Sequence, residues 1–569
     1  MPLPRLLAVL TAAVTLAGCA ATRPADPLPE EIPTPVVETT VVEETETAEA
    51  EEEASVADAA LLPGAAPREW LMLDKTDDNV RGISADRGYR ALAGRSPQRT
   101  VVVAVIDSGI DTTHADLRGR IWTNTDEVAG NGVDDDGNGY VDDRHGWSFL
   151  GNADGENIQY DTYEVTREVV RLRPLYQDAD PAAFTEEQLE EYAYYQRAEE
   201  KLAAQQEEYT GLLAQMQMVE QATEQAVTIL RPTLGEGPYA PEKLQPGIID
   251  SEEVQRAKGL LNYLASNGLT PDDVTQQRKQ IANVLAYGYN TDYDPRPTIG
   301  DDPADLTERS YGNGDVHGPY PGHGTSVAGV IAAVRGNGVG TDGVADSSVL
   351  IMPVRAVPNG DERDKDIANA IRYAVDNGAL VVNMSFGKSY SPQKAVVDEA
   401  VRYAEERGVL LVHAAGNGSK NLDAADNFPT AALDDGTRVS NWLEVGATTW
   451  SADPFAATFT NYGQTSVDLF APGAEIDVLS PGDAVDRSDG TSVAAPVVSG
   501  IAALLLSYYP DLSPLDVRGI LLDSAVSYEG TTALRPGSDE RVDFGTLSAT
   551  GGVVNLGRAV ELANARSGS

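Results

Sequence analysis

Three short blocks of this chain place a carboxylate, an imidazole and a hydroxyl where each could react. Val105-Ile106-Asp107-Ser108-Gly109 ends an apolar run on Asp107. Gly322-His323-Gly324-Thr325 sets His323 just before the apolar stretch Val327–Val334. Gly490-Thr491-Ser492-Val493-Ala494-Ala495-Pro496 sets Ser492 at the start of an apolar stretch that reaches Leu506. A serine hydroxyl is a poor nucleophile until a base takes its proton. Histidine can do that near neutral pH and then protonate a leaving amine. A carboxylate would fix the imidazole tautomer and stabilise the imidazolium. A serine at a helix N-terminus also has free backbone N–H groups near a developing oxyanion. Gly490 and Ala494 are small enough to let substrate and neighbouring backbone approach, and Pro496 is tolerated in a first helical turn.

These groups need elements to hold them. Val101–Ile106 is a six-residue apolar run, short enough for a strand buried on both faces. Similar runs recur at Val349–Val354, Ala379–Val382 and Val409–Val412. Helical patterns lie between them. Ile367, Ala370, Ile371, Ala374 and Val375 share one face of a helix opened by Asp366 and stopped by Gly378, and Lys394–Arg407 reads as another. Strands alternating with helices predict an α/β fold: a three-layer, doubly wound, mainly parallel sheet. Ligands bind such sheets at the C-terminal ends of the strands. Residues 160–305 interrupt the rhythm. Thr185-Glu186-Glu187-Gln188 has the form of a capping box. Leu202, Tyr209, Leu213, Met216, Val219 and Leu230 follow near helical spacing. Further helices are expected from Asp250-Ser251 to Gly268 and from Thr270-Pro271 to Gly288. This stretch reads as a helical insertion, either a structural elaboration or a lid or docking arm.

The order Asp, His, Ser, each in its own block and setting, resembles the subtilisin-like serine proteases (peptidase S8). The resemblance covers about 68–150 and 310–565, and bacterial lipoprotein members are similar even in the insertion. It implies a serine endopeptidase with Asp107, His323 and Ser492 as its triad. It also assigns Asn417, in Ala414-Ala415-Gly416-Asn417-Gly418, to the oxyanion hole, and Ser385, Phe386 and Gly387 to a segment that pairs with substrate as an added strand. The chain departs from the family pattern at Val493, where Met is common, and at Ser326, where His is common. The 216 residues from Asp107 to His323 are also unusually many, and the insertion accounts for them.

Calcium is expected at two places. Asp111–Asp116 follows the reactive Asp as in calcium-binding subtilisins, and Asn337-Gly338-Val339-Gly340-Thr341 resembles the loop that completes the site. Asp116, Asn337, Val339 and Thr341 would then supply oxygen ligands. Asp134-Asp135-Asp136-Gly137-Asn138-Gly139-Tyr140-Val141-Asp142 begins like a calcium loop, with Asp134, Asp136, Asn138 and Asp142 as candidate ligands. Its twelfth position is His145 rather than Glu, so a plain Asp/Gly turn is the other reading. His413 reads as a core residue and His114, His145 and His317 as loop residues. No pair of histidines has zinc spacing on a helix.

The remainder of the sequence sets the context. Arg5 and the apolar run Leu6–Leu16, too short to span a bilayer, lead into Leu16-Ala17-Gly18-Cys19. This resembles a bacterial lipoprotein signal (residues 1–19), with cleavage before Cys19 and lipid on it. Residues 20–67, net −11 and rich in Pro, Glu and Thr, read as an acidic disordered linker. Residues 68–159 and 306–569 would be the two parts of the catalytic domain. The whole chain of 569 residues carries a net charge of −47, which argues against a nucleic-acid partner. Its single Cys excludes a disulfide scaffold. The expected protein is an exported, monomeric, lipid-anchored endopeptidase acting on proteins or peptides at the periplasmic face or cell surface. No redox or nucleotide cofactor is expected. Residues 68–99 are too few for a folding prodomain, so folding without one is expected. The rival readings are a catalytically silent scaffold on the same fold and an acid peptidase with a Glu-Asp-Ser set, against which His323 argues.

Overall fold

The apolar runs become the centre of one nine-stranded sheet in the computed structural model, which describes residues 66–567 except 236, 238, 240, 246, 248 and 249. The described residues fall into two compact units, residues 68–217 with 275–569, and a second containing 218–274. Cys19 and nearly all of the acidic linker lie outside the described residues.

In the first unit the strands are β1 (Val101–Asp107), β2 (Trp147–Ser148), β3 (Val349–Arg355), β4 (Val381–Met384), β5 (Leu410–Ala414), β6 (Trp442–Thr448) and β7 (Leu469–Pro472). They continue with β8 (Ile476–Ser480), β9 (Ala484–Ser488), β10 (Val526–Ser527), β11 (Thr532–Leu534), β12 (Arg541–Asp543) and β13 (Gly552–Val553). The large sheet runs β10-β13-β7-β6-β5-β4-β1-β3-β2, parallel throughout except for the β10–β13 pair. β1 is central, with Val103 opposite Ile351 on one side and Val381 on the other.

The helices are α1 (Ala85–Ala91), α2 (Glu164–Tyr176), α3 (Glu186–Leu234), α4 (Glu252–Ser266), α5 (Pro271–Asn283) and α6 (Arg296–Ile299). After them come α7 (Gly322–Ala332), α8 (Asp364–Asp376), α9 (Lys394–Glu406), α10 (Thr491–Tyr508), α11 (Pro514–Ser524) and α12 (Leu556–Arg566). Ala104, Ile106, Met352, Val354, Val382 and Leu411 point to one face of the sheet, where they pack with Ile367 and Ile371 of α8 and Val401 of α9. α10 packs across β1, β4, β5, β6 and β7 and against α7. Both faces of the sheet are covered, as expected of continuous apolar strands. α10 is apolar enough to cross a membrane, but 89% of it is buried inside the protein, as a core helix is.

The expected caps are present. Thr185 Oγ1 accepts from Gln188 N and Gln188 Oε1 accepts from Thr185 N, so α3 opens with a true capping box. α3 is 49 residues long and contributes to both units. Its first part buries Tyr195, Ala198 and Leu202 against Val165, Val169 and Leu172 of α2. In the second unit, Ser251 caps α4, which buries Ala257, Leu260, Leu261 and Leu264.

α7 sits close to the end of β1 because Gly324 has no side chain. A Cβ there would lie 2.2 Å from the Gly109 carbonyl oxygen and 3.2 Å from Asp107 Cβ. Gly324→Ala therefore forces the helix off the strand. It should destabilise the fold by about 1–3 kcal/mol, read as a lower urea midpoint.

Candidate active site

Asp107 is the last residue of β1 and is 1% exposed. Its Oδ1 accepts from Ser108 N at 2.7 Å and lies 2.7 Å from His323 Nδ1. Oδ2 is buried and has no partner among the described residues. A carboxylate can only accept, so the proton at this contact belongs to Nδ1, and neutral His323 presents a bare Nε2. The His323 side chain is 41% exposed, in the first turn of α7. Burial by itself depresses the imidazole. The charge and hydrogen bond of Asp107 more than reverse that, so His323 holds its proton to a higher pH than usual.

Ser492 is the second residue of α10. A Cβ on Gly490 would sit 2.7 Å from Ser492 Oγ, 3.4 Å from Asn417 Nδ2 and 3.5 Å from Ser492 N. One hydroxyl and two N–H donors thus surround a small volume that glycine leaves open. The orientation of Asn417 is set from behind. Its Oδ1 accepts from Thr491 N (2.9 Å) and Thr491 Oγ1 (3.0 Å), which directs Nδ2 forward. Ser499 Oγ donates to Asn383 Oδ1, Asn383 Nδ2 to Ser385 Oγ, and Ser385 Oγ to the Ser492 carbonyl, at 2.8–2.9 Å each. This chain of bonds ties α10 to the end of β4.

His323, Ser492, Asn417 and Ser385-Phe386-Gly387 line one open cleft of about 390 Å³, and Asp107 backs His323. Among the described backbone hydrogen bonds, none uses Ser385, Phe386 or Gly387. The segment therefore presents a free strand edge, while the Ser385 hydroxyl is occupied with Ser492. Sequence reasoning missed Thr491, Asn383, Asn427 and Asn461. Asn427 lines the cleft and donates to the Ala414 carbonyl at 3.2 Å. Asn461 accepts from Gly418 N and Lys420 N and so shapes the loop carrying Asn417. Only Thr491 carried a signal, its place at a helix start beside Ser492.

The sequence profile of the subtilase family matches residues 98–546. The chain belongs to the subtilase family. It is similar to alkaline elastase YaB of Bacillus sp. (strain YaB), 36% identical over 217 residues that make up 38% of this chain and 53% of the elastase. It is 35% identical to subtilisin Savinase of Lederbergia lenta over 210 residues, 37% of this chain and 72% of Savinase. A solved structure of the prenylagaramide maturation protease PagA is 27% identical, covers 42% of this chain and 82% of its own, and has a TM-score of 0.35. The chain thus spans about half the length of the first of these relatives.

This subtilase has a larger cavity elsewhere, about 720 Å³, lined by Glu164, Arg167, Glu168, Arg171, Arg363 and Lys365 among others. Its charges are already paired, Arg167 with Glu164, Arg171 with Glu168 and Arg363 with Asp161. It holds none of the expected reactive groups.

The expected metal ligands fall into two differing sets. At the first, Asn337 Nδ2 donates to Asp116 Oδ1 (2.6 Å), Thr341 N to Asp116 Oδ2 (3.0 Å) and Val339 N to Asn337 Oδ1 (2.9 Å). The four residues meet, and each Asp116 oxygen accepts one N–H donor there. At the second, Asp134 and Asp136 approach one another together with Glu127, which sequence reasoning missed. Asp142 does not join them. Its oxygens accept from the Gly130, Asn131 and Gly132 N–H groups of the neighbouring turn, and its backbone is left-handed, φ 56°. Of the other histidines, His413 is fully buried with Nδ1 3.0 Å from Glu444. His114 lies in a loop as expected and is buried there, its Nδ1 accepting from Asp116 N.

Because Asp107 raises His323, their interaction contributes stability that is fully present below the unfolded value of about 6.5 and is lost as pH rises through the folded value. Asp107→Asn should remove this pH dependence. Imidazole NMR titration should also find His323 lower in the variant than in the wild type.

Proposed function

We propose that this subtilase is a serine endopeptidase that hydrolyses proteins through an acyl-enzyme. Ser492 Oγ attacks the scissile carbonyl while His323 Nε2 takes its proton. Asp107 holds the imidazole tautomer and stabilises the imidazolium. The carbonyl oxygen, now negative, is received by Asn417 Nδ2 and Ser492 N–H. His323 passes its proton to the leaving amine. Water then repeats the sequence against the ester and frees Ser492. The substrate backbone pairs with the free edge of Ser385–Gly387. The observation that carries this reading is the volume before Gly490, bordered at once by the nucleophile and two donors. It equally disfavours a silent scaffold, which has no use for such an arrangement.

We further propose that the helices between 160 and 305 are an insertion in a catalytic domain formed by 68–159 and 306–569. The chain would be exported and held as a monomer on a bacterial membrane by lipid on Cys19. Calcium would act as a structural ion, for which the Asp134 loop supplies the better donors.

A fluorophosphonate probe should label the full chain, and casein should be cleaved. Ser492→Ala should lose both, while a folded wild type that does neither would sink the proposal. Asn417→Ala should keep its label and lose about 10²–10³-fold in kcat. Activity should rise with pH through a His323 titration raised from the ordinary histidine value by Asp107, since only the neutral ring can accept the proton. Cys19→Ser should move the chain from the membrane fraction to the soluble one, and an unchanged membrane fraction would refute the anchor.

A further inference from the structure

We infer that Glu127 completes a divalent-cation site with Asp134 and Asp136, of calcium-binding character. One oxygen from each of the three lies within 4.8 Å of the others. An acidic cluster alone would say little, but Glu127 is only 3% exposed. Its Oε1 accepts from Asp135 N (2.8 Å) and Asp136 N (3.2 Å), which seats it over the loop. Its Oε2 is buried with no partner among the described residues. A buried carboxylate oxygen without a donor is costly unless something positive meets it.

Among the described residues no donor meets that oxygen. Arg144 is the only Lys or Arg between 121 and 166, and it donates to the Glu127 backbone carbonyl rather than to the carboxylate. Seven acids stand between Asp126 and Asp143. The loop itself is preformed. Asp134 accepts from Gly137, Asn138 and Gly139 N–H groups, and Asp136 from Asn138 N and Asn124 Nδ2. Each of those carboxylates still has lone pairs to offer. All the donors are hard oxygens, which suit calcium better than a softer metal.

The assignment also resolves the mismatch in the loop's sequence frame. A helix-loop-helix calcium site closes with a carboxylate at position twelve. Here that position is His145, whose Nδ1 lies 2.9 Å from the Trp122 carbonyl. The ninth, Asp142, serves the neighbouring turn. Glu127 supplies the closing carboxylate from seven residues before the loop instead of from its end. The site would fasten the connection from β1 to β2 without touching the cleft.

Terbium luminescence tests this on the full chain and does not depend on the peptidase reading. Tyr140 lies within the loop, its ring 5.1 Å from that of Trp147, so both can sensitise a bound lanthanide. Tb³⁺ should bind, be displaced by Ca²⁺, and bind Glu127→Gln at least about tenfold more weakly. Asp116→Asn should leave that affinity unchanged. Equal Tb³⁺ affinity in folded Glu127→Gln, or loss in Asp116→Asn alone, would overturn the assignment. Should Glu127→Gln fail to fold, the wild type still decides. Absence of Tb³⁺ emission together with an unfolding temperature unmoved by millimolar Ca²⁺ refutes the site.

Discussion

A single hydrogen bond, between His323 and Asp107, joins positions 216 residues apart and governs how the rest of the molecule must fold. Burying a carboxylate costs several kcal/mol before its partners are counted. Asp107 has few partners: the Ser108 N–H, the imidazole, and nothing at Oδ2 among the described residues. The central position of β1 supplies the burial, and the missing side chain of Gly324 supplies the close approach of α7. Everything between the two residues must leave and return without disturbing that contact. The chain does so through β2, the helices from α2 to α6, and the turn before α7.

The serine side is held differently, by neutral hydrogen bonds. Ser499, Asn383 and Ser385 relay the register of β4 to the Ser492 carbonyl, and Thr491 fixes the Asn417 amide. Each such bond contributes only about 0.5–1.5 kcal/mol net. Their value is positional, because donors already aimed at a developing charge need no reorganisation when it forms. Ser385 illustrates the difference between sequence and structure. Its place in the segment is evident from the sequence, but its hydroxyl bonds the Ser492 carbonyl at the start of α10, while its backbone enters none of the described backbone hydrogen bonds.

What the sequence disclosed follows from how much each signal repeats. β1, β3, β4 and β5 are buried on both faces, so each carries an apolar run, ending at Ile106, Val354, Val382 and Val412. β6 is less legible because Glu444 interrupts it, buried there to meet His413. β7 has only four residues. α2 has Tyr163 as its N-cap, which makes no side-chain cap bond, and contains Pro174, so it lacks both the start signal and the clean interior of a recognisable helix. At the site, Asp107, His323, Ser492 and Asn417 sit in fixed small-residue contexts. Asn427 and Asn461 lie in loops, where nothing periodic marks them. Glu127 escaped because the loop frame directs attention downstream, and its partner positions lie after it.

The helices after residue 160 are bound into the cleft more tightly than an appendage would be. Lys388 directly follows the Ser385–Gly387 segment, and its side chain is 2% exposed. Its Nζ meets Glu164 Oε2 at 2.6 Å, Asp364 Oδ1 at 2.8 Å and the Glu362 carbonyl at 2.7 Å. Glu164 opens α2. Burial alone would raise it, and Arg167 and Lys388 overcome burial to hold it at about 2. The Lys388 backbone is paired in both directions with Phe428, the residue after Asn427 of the cleft. Cutting the chain at 160 would take Glu164 from the buried Lys388 and leave it only Asp364 and the Glu362 carbonyl. Such a loss would fall on the strand edge itself. α2 is therefore part of what holds the cleft wall. Any separate role for these helices must be sought from α3 onward, where removal leaves the Glu164–Lys388 pair intact.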